Sequence, residues 1–257
     1  MRVRLLFTCI LLLSLSLTPT AQAGPPFLTD DPEPVLFRHY EVYCFSTLNR
    51  TGFQSQGNAP AVEFNMGAIP NLQLHAIVPM AYYFPSSGPS GFGPGDIELG
   101  AKYRFVQETR NRPQIGTFPL IQAPSGNASR GLGNGGVSAK LPLWVQKSWG
   151  KWTSYGGGGY IFNPAPGMRG YAFGGILVQR ELTKKLTLGG ELFVQGTSSR
   201  NSLPGTRQSS VFNAGGYYNF SPKFSLLFSV GHSVQGEAHT IAYLGLYWTW
   251  GSHRSRV

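Results

Sequence analysis

Between residue 38 and residue 250 the chain repeats one pattern, in which apolar and polar side chains alternate over about ten residues before a break rich in Gly, Pro, Asn or Ser. The stretch GDIELGAKYRF is typical. It sets Asp96, Glu98, Lys102 and Arg104 on one side and Ile97, Leu99, Ala101, Tyr103 and Phe105 on the other. A period of two belongs to a β-strand, because successive side chains of an extended backbone point to opposite faces. In AVEFNMG, Val62, Phe64 and Met66 oppose Glu63 and Asn65; in LQLHAIVPM, Leu72, Leu74, Ala76 and Val78 oppose Gln73, His75 and Ile77. In GVSAKLPLWVQ, Val137, Ala139, Leu141, Leu143 and Val145 oppose Ser138, Lys140, Pro142, Trp144 and Gln146.

The pattern predicts about twelve antiparallel strands, beginning near Arg38 to Leu48 and ending with TIAYLGLYWTW. Short turns such as IPN, KSWGK, LTKK and FSPK alternate with longer polar stretches such as NRTGFQSQGNAP, PSSGPSGFGP and TSSRNSLPGTRQS. An even number of strands returns both termini to the same end. Pro119 and Pro142 each remove a ladder donor, so an irregularity is expected at each. The run Gly156 to Gly159 reads as a bend, or as room for bulky neighbours.

Alternation alone does not say which face looks inward, since a soluble sandwich and a membrane barrel use opposite assignments. Aromatic residues gather at predicted strand ends, in Tyr82, Tyr83 and Phe84, in Trp149 and Trp152, and in Trp248 and Trp250, as interfacial girdles do. Only 12% of residues are charged, and 34 are glycine. A soluble surface carries about a quarter of its residues as charge. No run of about 18 apolar residues follows residue 23, which excludes membrane helices but suits strands that hide their apolarity by alternation. The expectation is therefore an all-β transmembrane barrel with short periplasmic turns and longer outer loops, its apolar face toward lipid and its charged face toward the lumen.

MRVR, an apolar stretch and Ala21-x-Ala23 together make a secretory signal over residues 1–23. The expected divisions are that signal, a periplasmic or lumen-inserted segment over 24–36, the barrel over 37–251, and a tail over 252–257. Removing Arg2 and Arg4 lowers the basic count from 21 to 19, against 11 acids, and leaves Cys44 as the one cysteine, so no internal disulfide forms. The basic residues are spread along an exported chain, which points away from nucleic acid and toward lipid phosphate.

GPPFLTDDPEP, GAIPNLQL, GDIELGAKYRF, GTFPLIQAPSG, GLGNGG, LPLWVQKSWGKW and YGGGGY together resemble the outer-membrane channel family named for the MetA pathway of phenol degradation. The resemblance covers most of the exported chain. It implies a channel-like or transporter-like barrel in a Gram-negative outer membrane, linked to aromatic compounds, with no catalytic residues to carry over.

The inward-facing candidates for a solute pathway are Glu63, His75, Asp96, Glu98, Lys102, Arg104, Lys140 and Glu191. They either steer solutes through a lumen or pair across strands and fill it. Arg50, Arg130, Arg169, Arg200 and Arg207 in the outer loops are candidates for lipopolysaccharide phosphates. Tyr243, Gly245, Trp248 and Trp250 resemble the C-terminal strand signal presented to the barrel assembly machinery, although GSHRSRV follows that strand. Asp30, Asp31 and Glu33 are too few and wrongly spaced for a calcium loop, and GLGNGG opens no helix, so neither metal nor cofactor is expected. The expected function is passive passage of small solutes. A structural or adhesion barrel and an outer-membrane lipid hydrolase are the alternatives, and no Ser/His spacing here specifies a nucleophile with its base.

Overall fold

The computed structural model describes residues 25–203 and 205–251. The expected signal segment and tail lie outside these residues. The first strands are β1 His39–Thr51, β2 Gln54–Ile69, β3 Leu72–Pro85, β4 Gly91–Pro94, β5 Ile97–Val106, β6 Gln114–Thr117 and β7 Leu120–Ala123. The remainder are β8 Ser138–Trp149, β9 Trp152–Phe162, β10 Tyr171–Glu181, β11 Leu186–Gln195, β12 Ser209–Ser221, β13 Phe224–Gly236 and β14 His239–Gly251. β4 and β5 both pair with β3, and β6 and β7 both lie between β5 and β8, so the 14 segments make twelve staves. β1 pairs with β14 from His39 opposite Gly251 to Thr51 opposite His239 and closes the barrel. Closure is what hydrocarbon requires, because an open edge would leave a row of backbone groups without partners.

The break between β6 and β7 falls at Phe118–Pro119. Pro142 lies opposite it in the interval of β8 that neither short strand pairs with, while it keeps its place opposite Gly159 on the other side. Thr117 Oγ1 donates to the Pro142 carbonyl at 2.6 Å across this gap. The two prolines thus share a single irregularity.

Several strand ends differ from the expected ones. NRTGFQSQGNAP is not a loop: β1 and β2 run up to a hairpin at Gly52–Phe53. A register shift between Asn58 and Ala61 absorbs the cluster around Pro60. The polar residues there occupy the lumen face of an extended strand, where Asn and Gln meet water rather than lipid. Part of PSSGPSGFGP likewise pairs with β3 as β4. The KSWGK turn shrinks to Gly150–Lys151, with Gly150 at φ +60.

The faces follow the expected parity. Leu99, Tyr103, Phe105, Leu141, Leu143 and Val145 are exposed on the outer wall, whereas Lys102, Trp144 and Gln146 are buried within. Ile97 and Ala101 are half-buried. At the end where β1 begins and β14 finishes, the termini of the barrel, Trp149, Trp152, Trp248 and Trp250 form part of an aromatic belt, with Trp248 stacked on Phe224 at 5.0 Å and Trp250 on Tyr40 at 5.8 Å. Gly157 leaves room for the Trp144 indole; a Cβ there would meet Cε3 at 3.0 Å.

A charge on the lipid face near mid-strand should be costly. Leu143, 51% exposed at the middle of β8, is the test position. Leu143→Arg is expected to lower folding stability in lipid vesicles by about 2 to 4 kcal/mol. Denaturant titration of the refolded protein measures it, and an unchanged midpoint would place this face away from lipid.

Candidate functional site

The lumen is occupied by the chain's own N-terminal segment. Residues 25–36 cross the interior from Pro26 beside the middle of β13 to Val35 beside the start of β3, and β1 follows. Ser229 Oγ on β13 donates to the Pro26 carbonyl at 2.7 Å. On β11, the Glu191 carboxylate accepts from Leu28 N at 3.1 Å, from Thr29 N, and from Asn213 Nδ2 at 3.0 Å. Glu191 is 1% exposed, and these three donors supply what water would otherwise give.

The acidic motif comes next. Lys102 Nζ donates to Asp30 Oδ1 at 2.8 Å and to Asp31 Oδ2 at 3.1 Å, and the same ammonium lies 4.9 Å from the centre of the Phe118 ring. Burial raises the pKa of both carboxyls. For Asp31 burial prevails, helped by the neighbouring Asp30 and Glu33 charges, and pushes it up to about 8. For Asp30 burial is outweighed by Lys102, with a further contribution from Lys140, and its carboxyl lies below the usual range. The two carboxyls thus share one ammonium as their counter-charge. Glu33 takes bonds from Gln114 Nε2 at 3.2 Å and Gln146 Nε2 at 3.3 Å, with Arg104 at 3.8 Å. Val35 N donates to Gln73 Oε1 at 2.9 Å, and Arg38 N to the Gly67 carbonyl at 2.9 Å leads the chain into β1. The counter-charges of TDDPEP are thus side chains of the wall.

A cavity of about 1890 Å³ lies beside the segment. Its wall includes Asn49, Asn58 and Leu132 near the loop end and Lys184, Lys223 and Gly251 near the end with the termini. Phe118, Leu120, Trp144, Phe173 and Phe193 cluster around the segment's side of the lumen. The cavity touches Phe118 and Leu120 of that cluster and extends along the other side, where Tyr43, Phe45 and Tyr247 are buried and Tyr243 packs against them.

The expected pathway residues divide accordingly. Glu63, His75, Asp96, Glu98, Lys102 and Lys140 border the cavity, while Arg104 and Glu191 do not. His75 Nδ1 meets Asn65 Oδ1 at 2.7 Å with Glu63 at 3.5 Å, and its Nε2 faces Glu98 at 3.3 Å. Lys140 lies 4.9 Å from the Phe173 ring centre. Asp96 is not on a strand: it sits in the break between β4 and β5 and accepts from Gly126 N at 2.9 Å and Asn134 N at 2.6 Å, holding the GLGNGG loop beside the cavity. Arg104 is held by Asn71 Oδ1 at 3.0 Å and Gln114 Oε1 at 3.1 Å.

Glu41 escaped the pattern, although it borders the cavity and accepts from Tyr247 at 2.8 Å and Tyr43 at 3.1 Å. Its place between Tyr40 and Val42, with Tyr43 following, carries the parity signal, blurred by aromatic residues on both faces. The four residues of the C-terminal strand signal split between faces, with Tyr243 toward the lumen and Trp248 and Trp250 toward lipid. Arg50, Arg130, Arg169, Arg200 and Arg207 are all exposed at the loop end. Arg169 and Arg200 flank a shallow cleft with Tyr160 and Asn163.

A model of the family described as "Putative MetA-pathway of phenol degradation" matches residues 42–249. The chain belongs to this family. No curated protein matches it significantly. Among solved structures it is similar to the NanC porin at 6% identity and TM-score 0.57, over 80% of this chain and 98% of that one. The KdgM porin in complex with disordered oligogalacturonate is similar at 10% identity and TM-score 0.55, over 81% and 99%. The translocator domain of the autotransporter NalP from Neisseria meningitidis follows at 12% identity and TM-score 0.53, over 81% and 88%. These likenesses concern the fold.

Lys102→Met would leave the Asp30 and Asp31 carboxyls facing an apolar end. A loss of about 3 to 5 kcal/mol is expected from breaking a buried pair on one side. Urea titration in vesicles reads it, and adding Asp30→Asn and Asp31→Asn to the same protein should recover most of the loss. Absence of recovery would show that the ammonium and the carboxyls do not meet.

Proposed function

We propose that the protein is an outer-membrane channel that passes small solutes by passive diffusion, and that solutes carrying an aromatic ring pass best. The observation that carries this reading is the cavity beside the N-terminal segment, whose wall draws residues from both ends of the barrel. The aromatic preference is supported by the side the cavity follows. Tyr43, Phe45, Tyr243 and Tyr247 border it there, with Phe45 and Tyr243 stacked at 5.2 Å, and Glu41, Glu63 and Glu98 supply acceptors for a hydroxyl or a cation. Family membership and the porin-like fold agree with this reading. We further propose that Arg169 and Arg200, facing outward beside Tyr160 at the loop end, contact phosphates of the lipopolysaccharide leaflet.

Purified protein in a planar bilayer is expected to give discrete conductance steps. Phenol added at millimolar concentration should reduce the current more than an aliphatic alcohol of similar size. A folded but silent barrel would contradict the channel and favour a structural or adhesion role, and equal effects of the two solutes would remove the aromatic preference.

A further inference from the structure

We infer that the N-terminal segment, rather than the barrel wall, sets the narrowest section of the channel and its charge preference; the inference rests on the channel reading above.

The wall is shaped to receive the segment. Where Thr29 passes β10 the wall residue is Gly175, and a Cβ there would collide with Thr29 Oγ1. Where Pro32 passes β6 the wall residue is Gly116, and a Cβ would come within 3.0 Å of the proline's own Cβ. Both glycines lie on the inner face, in step with the buried Phe173 and Leu177 on β10 and the buried Gln114 and Phe118 beside β6. Thr29 and Asp31 are fully buried. The segment is therefore packed as part of the interior, with anchors on β13, β11, β5, β6, β8 and β3.

The segment also changes what a solute meets. Without it the inner wall would present Lys102 and Arg104 as bare cations beside Lys140. With it, Asp30 and Asp31 cover Lys102, Glu33 stands 3.8 Å from Arg104, and Asp30 and Glu33 themselves border the cavity. The wall carboxylates of Glu41, Glu63 and Glu98, the last two beside His75, then face a lumen in which Lys102 and Arg104 are matched by the segment. A channel lined this way favours small cations and neutral solutes over anions. Three lysines, Lys184, Lys185 and Lys223, border the cavity near the end with the termini, far along the chain from these groups, and stay in place whether or not the segment is seated.

Two full-length variants separate the segment's bulk from its charge. Asp30→Asn, Asp31→Asn and Glu33→Gln together remove the charge and keep the length. Gly175→Val keeps the charge on the segment but denies it its seat. Folding of each is checked by the shift in gel mobility on boiling. In planar bilayers under a potassium chloride gradient, the wild type should show a cation-selective reversal potential. The triple variant should move that potential toward zero or past it. Gly175→Val should do the same and raise the single-channel conductance about twofold, as expected when a filled part of a twelve-stranded lumen opens. Folded variants with the conductance and reversal potential of an active wild type would overturn the inference and leave the channel reading standing. A wild type that is silent while Gly175→Val conducts would support the segment as the constriction and overturn open passive flow. Silence of all three folded proteins would overturn both.

Discussion

A strand in hydrocarbon has no water to satisfy its backbone, so each N–H and C=O must find a partner on a neighbouring strand. The thirteen-residue ladder between β1 and β14 meets that demand by removing both sheet edges. Side-chain parity follows from it: once the sheet is closed, one face of every strand must be apolar and the other is free to be polar. The number of staves then sets the interior width, between barrels that side chains alone can fill and those that leave a broad channel. An interior of that size needs additional filling if it is to be narrow.

The filling comes from the chain itself, and it is held by a few charges. Glu191 receives two backbone N–H groups of the segment and Lys102 receives two of its carboxyls. These groups look expendable on a wall and become necessary once the segment is seated, because each would otherwise be a buried charge without a partner. The lumen is thereby divided into a packed side around Trp144 and Phe173 and an open side beside Tyr43 and Tyr247. Residues that read alike along the sequence thus acquire different roles: Glu98 faces the cavity while Glu191 anchors the segment.

The barrel was legible because its signal is local. Alternation over five or six residues is enough to place Leu99 outside and Lys102 inside, and the structure keeps that assignment along GDIELGAKYRF from Ile97 onward. Strand ends were less legible, because Gly, Asn, Gln and Pro mark a loop in a soluble protein but also line a wet lumen. The stretch around Gln56 and Asn58 shows this, being paired strand throughout most of its length. Asp96 keeps the parity of a lumen residue and yet serves the loop at Gly126 and Asn134. The partners of the lumen charges were not legible at all. Asp30 and Lys102 are 72 positions apart, and nothing in either local pattern names the other.

The claim on which this account turns is that residues 25–35 are packed inside the barrel. Nuclear magnetic resonance of the isotope-labelled protein in detergent micelles tests it directly, through proton contacts between segment and wall. Cross-peaks between Thr29 and Gly175, and between Pro32 and Gly116, are the expected result. Sharp random-coil resonances for residues 25–35, with no contact to β6 or β10, would contradict it.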